Sequence, residues 1–454
     1  MDSAAALPAL ATGDLNADCV VVGAGIVGLA TALRLREAGH EVLLIDRQGV
    51  AAEASRGNAG ALAYSDILPL ASPGIIRQAP RWLLDPLGPL AIPPAYLPRI
   101  APWLWRFWRA SQPHQEATST NAQAALMQLA AQAMPRLLHA VNAQDQLHTD
   151  GNLQLYESRA EWQASLPGWQ ARADHGITFH HLQGAQASAE IAALQPGLSP
   201  AFTAATFVPG WQRIDDPHRL CVQVAAAFVQ IGGRLRRAQA QALRPDASGV
   251  TVLLQDGRRV HAQQVVVAAG AWSHRLARSL GHGIPLETER GYNSTLPAGA
   301  FDLRRQLTFG SHGFVVTPVA GGVRVGGAVE LGGLQAPPDY RRAQALLDKA
   351  QRFLPGLKVA GCVQWMGFRP SLPDSLPVIG PAPGEPRVLY AFGHGHLGLT
   401  QSAGTAEVVA ALAAGRAPGI DITPFSAARF TRPGLFTLAR QQPSLSGARA
   451  RRGQ

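Results

Sequence analysis

The chain has 454 residues, of which 47% are hydrophobic and 15% charged, and its formal net charge is +10. This balance excludes general disorder, and the length predicts two domains of ordinary size. The positive charge is compatible with an anionic partner surface or with a soluble protein that is simply rich in arginine.

The N-terminus and the cysteines bear on the compartment. The first 17 residues lack a basic segment followed by an apolar core. No run reaches the roughly 18 apolar residues that a spanning helix needs. We therefore predict that residues 1–17 form a disordered extension and that the protein is cytoplasmic. Cys19, Cys221 and Cys362 have neither disulfide nor metal-ligand spacing, so no metal site is predicted.

The folded part opens with a strand, a helix and a second strand. Residues 19–22 are a short apolar run, residues 26–38 have helical character ended by Gly39, and residues 42–46 are a second apolar run. Three such elements within about 30 residues are typical of a βαβ unit with parallel strands. The fold class predicted is α/β, with a doubly wound, Rossmann-like domain.

A glycine pattern lies between the first strand and the helix. In GAGIVG, the glycines Gly23, Gly25 and Gly28 permit a tight turn, a close approach of pyrophosphate to the backbone, and close packing of helix on strand. The helix N-terminus offers amide donors to the same pyrophosphate. Asp46 ends the second strand, where a carboxylate accepts the hydroxyls of a ribose. This context predicts dinucleotide binding, and leaves FAD and NAD both open.

Residues 69–113 differ in composition, with many prolines and an aromatic stretch at 101–109. The Trp/Arg-rich part, 81–109, is compatible with peripheral contact to the inner face of a membrane or with a segment packed against a second domain. Residues 121–147 have helical character, so the region is predicted to be an insertion that does not continue the first sheet.

The remaining elements are predicted from hydrophobic periodicity and from the glycines and prolines that separate the periodic segments. They are helices at 217–231, 340–353 and 400–414, strands at 250–254, 265–268 and 388–392, strand-rich sequence over 284–333 and a Gly-rich turn at 393–398. The sequence has no internal repeat.

The stretch 51–61, AAEASRGNAGA, resembles a loop of the D-amino-acid oxidase superfamily of flavoproteins, and most closely that of the bacterial D-amino-acid dehydrogenases. The resemblance covers most of residues 18–415, because further segments follow in the same order. These segments are DDP at 215–217, VAAGAW at 267–272, RGY at 290–292, GFRP at 367–370, PD at 373–374, PVIG at 377–380 and GHGHLG at 393–398.

The resemblance implies a discontinuous two-domain architecture. An FAD-binding domain would comprise residues 18–70, 205–283 and 361–425. An α+β substrate or cap domain would comprise 71–204 and 284–360, and residues 426–454 would be a C-terminal tail.

The resemblance also implies FAD as the cofactor, and non-covalent attachment because residues 365–368 contain no cysteine. Small residues and backbone amides would contact the diphosphate and the flavin. The residues implied are Gly23, Gly25, Ile26, Val27, Gly28, Asp46, Arg47, Ser55, Arg56, Asn58, Ala59, Gly60, Ala269, Gly270, Gly395, Leu397, Gly398, Leu399 and Thr400.

Four side chains are candidates for the substrate. Arg369 matches the arginine that binds the substrate carboxylate in related amino-acid oxidases, with a surface ion pair between domains as the alternative. Tyr292 would donate to the same carboxylate or pack in the core. His394 and His396 would contact substrate or flavin, or be neutral and satisfied by the backbone, and His396 falls where glycine oxidases have an arginine.

The implied reaction is dehydrogenation of a D-amino acid, including cyclic ones such as D-proline or hydroxy-D-proline. A hydride would pass from Cα to flavin N5 and the electrons onward to a quinone or another redox acceptor. A glycine/sarcosine-type amine oxidase using O₂ is the alternative, followed by an NAD-dependent dehydrogenase. Nucleic-acid binding is not predicted, because beyond 99–109 basic residues form no stripe with interleaved aromatics.

Overall fold

The computed structural model describes residues 7–12, 15–73, 87–88 and 90–430. Its α-helices are α1 (Ile26–Glu37), α2 (Leu97–Ala110), α3 (Pro113–Ala140), α4 (Arg159–Asp174), α5 (Ala187–Leu194), α6 (Pro217–Gln230), α7 (Ser273–Ser279), α8 (Arg341–Phe353) and α9 (Gly398–Ala413). Its strands are β1 (Asn16–Val22), β2 (Val42–Asp46), β3 (Ala61–Leu62), β4 (Leu90–Ala91), β5 (Leu147–His148), β6 (Asn152–Tyr156), β7 (His180–Leu182), β8 (Ala204–Val208), β9 (Gln212–Ile214), β10 (Arg234–Arg237), β11 (Ala240–Pro245), β12 (Val250–Leu254), β13 (Arg259–Val267), β14 (Glu287–Pro297), β15 (Gln306–Phe309), β16 (Phe314–Val319), β17 (Gly322–Glu330), β18 (Val363–Ser371), β19 (Val378–Ala382) and β20 (Glu385–Phe392).

The first sheet has the strand order β10, β2, β1, β13. Strand β13 also pairs with both β20 and β12. Its pairs from β10 to β13 and on to β20 are parallel, as expected of strands buried on both faces. Helices α1, α3, α6 and α9 cover one face, and the β11–β12 hairpin with α7 packs on the other. The doubly wound prediction is confirmed.

The second sheet has the order β18, β14, β17, β16, β15, β6, β8, β7, and β4 is added beside β17. Its core consists of apolar side chains between these strands and α8, with Phe309, Phe314 and Phe353 stacked together. A small third sheet has the order β3, β9, β5. The chain therefore crosses between the sheets several times, and one face of the second sheet closes the cavity described below.

Three segments pack differently from the predicted domain boundaries. β18 lies in the second sheet, although residues 361–425 were assigned to the cofactor domain. β8 also pairs in the second sheet, so the crossover follows residue 208, whereas the predicted boundary follows residue 204. α3 was assigned to the cap, yet Leu126 and Leu138 are buried in the core of the first sheet. Helical period shows which face of a helix is apolar, not which sheet covers that face.

The extension predicted at residues 1–17 is folded in part. Leu10 is buried, with 6% of its surface exposed, and the Arg237 amide donates to the Pro8 carbonyl. Strand β1 begins at Asn16, ahead of the predicted start.

The tail predicted from residue 426 is also folded at its beginning. Ala427 is buried, and Arg429 forms an ion pair of 2.7 Å with Asp374. Residues 431–454 lie outside the described part of the chain.

Candidate active site

A cavity of about 610 Å³ lies between the carboxyl ends of β1 and β2 and one face of the second sheet. Its wall includes the glycine turn after β1, the loop after β2, strands β14 and β18, and the turn before α9. Crevices at the carboxyl ends of parallel strands, where strand order reverses, are the usual ligand sites of doubly wound sheets.

The glycine turn has no room for side chains. Gly23 has φ +114°, and a Cβ there would lie 2.4 Å from the Ala268 carbonyl oxygen. A Cβ on Gly28 would lie 1.9 Å from the Gly23 carbonyl oxygen. Gly28 is therefore needed for helix packing and does not itself line the cavity, whereas Gly23 and Gly25 do. The N-terminus of α1 thus opens directly onto the cavity.

Asp46 lies at the end of β2 and faces the same space. One carboxylate oxygen accepts the Ala24 amide at 2.8 Å, and the other accepts the Gln48 and Gly49 amides at 2.7 and 2.9 Å. A carboxylate has about four acceptor sites, so capacity remains for a ligand hydroxyl. Beside it, the Arg47 guanidinium stacks on the Trp272 ring at 3.8 Å.

The loop after β2 is held from both domains. The Ser55 hydroxyl accepts the Ile26 amide at 3.0 Å, at the start of α1. From the second sheet, the Asn293 amide group donates to the Gly57 carbonyl at 2.8 Å, and Arg324 donates to the Asn58 carbonyl. Sequence reasoning missed Asn293 and Arg324, because nothing local to them indicates which loop they bind.

Arg56 and Gly60 of this loop do not line the cavity. Arg56 is exposed to solvent. Gly60 is buried with φ +79°, and a Cβ there would lie 2.4 Å from the Ile214 carbonyl oxygen. The structure therefore gives Gly60 a role in the turn. The other predicted cofactor residues line the cavity, namely Gly23, Gly25, Ile26, Val27, Asp46, Arg47, Ser55, Asn58, Ala59, Ala269, Gly270, Gly395, Leu397, Gly398, Leu399 and Thr400.

The turn before α9 is fixed to the neighbouring elements. The Gly395 amide donates to the Pro370 carbonyl at 2.7 Å. The Thr400 hydroxyl donates to the Ala61 carbonyl at 3.1 Å. These bonds direct the N-terminal amides of α9 into the cavity, where a helix terminus favours negative charge.

His394 is buried beneath this turn. Its Nε2 lies 3.0 Å from the Thr405 hydroxyl of α9, and burial lowers the pKa of His394 to about 3. The ring is therefore neutral at physiological pH and bonded to the helix. This matches the alternative of a neutral, satisfied histidine, although its partner is a side chain rather than the backbone.

Arg369 lies on β18 and its guanidinium faces the cavity. Gly291 on β14 makes room for it, since a Cβ there would lie 2.3 Å from the Arg369 Cζ. One nitrogen donates to the Ala328 carbonyl at 3.2 Å. Burial lowers the pKa of Arg369, and the charge of Glu289 partly offsets that effect. Within the described residues, no carboxylate oxygen lies within 4.0 Å of the guanidinium.

Tyr292 does not bring its hydroxyl to Arg369. The hydroxyl donates to Glu330 and accepts the Asp339 amide at 3.0 Å, and the side chain is fully buried. Glu330 also pairs with Arg290 at 3.0 Å. Successive residues of a strand point to opposite faces, so Tyr292 and the position of Gly291 face opposite sides of the second sheet. Tyr292 is part of the cavity wall, but its hydroxyl already has two partners, and its contact with a substrate carboxylate stays a prediction.

His396 joins a charged cluster that sequence reasoning missed. Its Nε2 lies 3.2 Å from one Asp66 oxygen, and Arg172 of α4 lies 3.5 Å from the other. Burial alone would raise the pKa of Asp66, but the hydrogen bond from His396 and the charges of His396 and Arg172 together lower it. All three side chains line the cavity. Asp66 and Arg172 are far apart in sequence, and no motif marks either residue.

Trp365 closes the cavity near the loop after β2. Its ring occupies the space beside two glycines, since a Cβ on Gly57 or on Gly367 would lie 2.3 or 1.9 Å from ring atoms. The ring thus requires small residues at both positions. Nothing in the local sequence of residues 365–368 marks this role.

The residues present fit FAD. A Cβ would fill the backbone cradle at Gly23, helix α1 presents amides to a pyrophosphate, and Asp46 retains acceptor capacity for a ribose. The N-terminus of α9 offers a second set of amides at the far wall. The fold and this cavity define a two-domain oxidoreductase that binds a dinucleotide at the edge of a parallel sheet.

Comparison with known proteins supports this class and narrows it. Residues 18–412 match the family of FAD dependent oxidoreductases known as DAO, and the chain belongs to that family. FAD is accordingly its cofactor.

Two relatives and one solved structure are similar over nearly their whole lengths. The chain is 34% identical to a D-amino-acid oxidase of Bradyrhizobium diazoefficiens over 90% of this chain and 98% of that protein. It is 32% identical to D-amino acid dehydrogenase 2 of Ralstonia nicotianae over 90% of this chain and 99% of that protein. Glycine oxidase from Geobacillus kaustophilus has the same fold, with a TM-score of 0.71 and 21% identity. The similarity covers 92% of this chain and 99% of that chain.

The helices also bear on the question of a membrane. None of them, in the part of the chain that the structure describes, is both long and apolar enough to cross a bilayer.

Proposed function

We propose that the protein dehydrogenates a D-amino acid at Cα. The observation that carries the proposal is the Arg369 guanidinium, which faces the cavity beside Gly291 without a carboxylate partner among the described residues. Such a group is suited to the carboxylate of an amino acid. Two relatives above 30% identity are named for D-amino acids, which favours that stereoisomer.

Arg369 fixes the orientation of the substrate. A guanidinium binds a carboxylate through two parallel hydrogen bonds, which restrains rotation about the Cα–carboxyl bond and selects the face of Cα that is presented. FAD, when bound, would supply the acceptor for the hydride that leaves Cα. The product is an imino acid that water hydrolyses to a 2-oxo acid and ammonia, and a cyclic substrate such as D-proline gives a pyrroline.

We propose that His396 serves the amine end of the substrate. Its neighbour Gly395 is bonded to Pro370, the residue after Arg369, so the two side chains originate from adjacent backbone. An ammonium must lose a proton before nitrogen can form the C=N bond. In this proposal His396 accepts that proton, and Asp66, anchored by Arg172, orients the imidazole.

The identity of the substrate is tested by anaerobic titration of the holoenzyme. A panel of D- and L-amino acids, D-proline, hydroxy-D-proline, glycine and sarcosine is added while the visible flavin absorbance is recorded. We expect bleaching by D-amino acids and none by their L-isomers. Bleaching confined to glycine and sarcosine would contradict the proposal and favour an amine oxidase.

The roles of two side chains are tested on the same preparation. Arg369→Gln should retain flavin and lose about 100-fold or more in kcat/KM, because a buried charge pair with the substrate is removed. His396→Gln should lose activity at neutral pH, and the loss should narrow as pH rises into the range where the free substrate amine is abundant. A pH-independent loss would contradict proton acceptance by His396.

We further propose that the electrons pass to a quinone or another redox acceptor. The dehydrogenase relative supports this choice, whereas the oxidase relative makes oxygen the alternative. Turnover is measured with a quinone analogue under argon and then with dissolved oxygen alone. Stoichiometric peroxide at an equal rate in the second assay would contradict the proposal.

A further inference from the structure

Helix α2 carries large apolar side chains on its solvent side. Trp105 and Trp108 are 55% and 50% exposed, and Leu97 is 44% exposed. We define the α2 outer face as the exposed residues Leu97, Ala101, Trp105 and Trp108 together with Arg99, Arg106 and Arg109. Two half-exposed indoles close together on one helix are unusual on a soluble surface and mark an interaction site.

Packing within the protein does not account for these indoles. The opposite side of α2 is already buried, with Ile100 and Trp103 packed on Leu331 and Trp103 stacked on Phe107 at 5.3 Å. The helix thus has an inner apolar face that the fold uses and an outer one that the described residues leave exposed.

The charges of the α2 outer face are all of one sign. Residues 86–115 contain four arginine or histidine side chains and neither aspartate nor glutamate. Among the described residues, no carboxylate oxygen lies within 4.0 Å of Arg99, Arg106 or Arg109. The Arg109 guanidinium lies 5.0 Å from the Trp105 ring, so a cation and an indole occupy the same level of the surface.

We propose that the α2 outer face docks the protein on a bilayer that carries anionic headgroups. Tryptophan partitions to the boundary between headgroups and acyl chains, and arginine pairs with lipid phosphates at the same depth. The net charge of +10 adds long-range attraction to such a surface. Docking is linked to the proposed function, because the quinone that we propose as electron acceptor dissolves in the bilayer. Binding to the bilayer itself requires no turnover and can be measured separately.

The experiment is cosedimentation of the holoenzyme with vesicles of phosphatidylcholine, with and without phosphatidylglycerol, at low and high salt. We expect binding to the anionic vesicles that salt weakens, and little binding to phosphatidylcholine alone. Replacing Trp105 and Trp108 together by serine should lower the vesicle affinity at least about tenfold. Replacing Arg99, Arg106 and Arg109 by glutamine should cost about fivefold for each arginine.

A matched control replaces exposed apolar residues on another helix. Val222 and Val229 of α6 are 46% and 50% exposed, and changing both to serine should leave vesicle binding unchanged. Turnover with a soluble dye is measured for each variant, so loss of docking is distinguished from loss of folding or of the proposed activity.

Two results would overturn the proposal. The first is a parent protein that stays in the supernatant with anionic vesicles at low salt. The second is a self-association measured by light scattering that the Trp105/Trp108 change abolishes while vesicle binding persists, which would make the face a contact between copies of the chain.

Discussion

The two walls of the cavity recognise their ligands in different ways. At the carboxyl ends of β1 and β2 the contacts come from backbone amides, and the decisive residues are glycines whose missing side chains leave space. On the facing wall the start of α9 also offers amides, but β18 and the turn before α9 add long polar side chains, chiefly Arg369 and His396.

This difference predicts how each wall responds to substitution. A Cβ added at Gly23 or Gly28 meets backbone atoms that cannot move away, so cofactor binding and folding fail together. A change on the side-chain wall meets flexible groups, so the fold survives while the geometry of the substrate is lost. The following experiments test that contrast in order of decreasing expected effect.

The largest effect is expected for Gly28→Ala. The new Cβ would lie 1.9 Å from the Gly23 carbonyl oxygen, which belongs to the turn that binds the pyrophosphate. We expect a loss of about 3 kcal/mol or more in stability and little bound flavin in the purified protein. Absorbance ratio and thermal unfolding measure both. Gly49→Ala is the control, because a Cβ there meets nothing within 4 Å; equal flavin content in the two variants would remove the contrast.

Gly291→Ala should act on the substrate alone. Its Cβ would lie 2.3 Å from the Arg369 Cζ, and the flexible guanidinium would have to shift. Displacement of a substrate-binding group by about 1 Å costs on the order of 100-fold in kcat/KM. Flavin content should remain that of the parent. Gly310 also lines the cavity but has open space at its Cβ, so Gly310→Ala should retain near-parent kinetics, and parent-like activity of both variants would argue against Arg369.

The pH dependence of stability tests the buried histidine between the two walls. Because the pKa of His394 is lowered to about 3, only the unfolded state takes up this proton below its ordinary pKa of 6.5. The free energy of unfolding therefore falls as pH decreases from about 6.5 toward 3, by up to about 1.4 kcal/mol per pH unit. Urea titrations of the parent and of His394→Gln, at constant added FAD, should differ by about 2 kcal/mol more at pH 7 than at pH 5. Parallel curves would show that folding leaves the pKa of His394 unchanged and would contradict its neutral, buried state.

The smallest effect is expected for Arg56→Gln. Arg56 belongs to the loop after β2 but is exposed and does not line the cavity. Its removal should change stability by no more than about 0.5 kcal/mol and leave flavin affinity unaltered. Ser55→Ala is the informative neighbour, since it removes the acceptor of the Ile26 amide and should cost about 1 kcal/mol. A tenfold loss of flavin affinity in Arg56→Gln would restore this residue to the cofactor site.

The sequence by itself determined the first half of the site. Strand, helix and strand lie within 31 residues in β1, α1 and β2, and the glycine spacing between them can be interpreted locally because the turn, the helix terminus and the carboxylate are sequence neighbours. The order of later motifs gave the family, which the comparison with known proteins confirmed.

Tertiary structure alone decided which distant side chains meet. Asp66, Arg172 and His396 come together although more than 100 residues separate each from the next. The Tyr292 hydroxyl donates to Glu330 and not toward a substrate carboxylate, because the pleat of β14 directs the side chain away from the side of Gly291. Periodicity encodes which face of an element is apolar, but the pairing of strands and helices fixes which neighbour that face meets. Long-range side-chain contacts therefore required the folded chain.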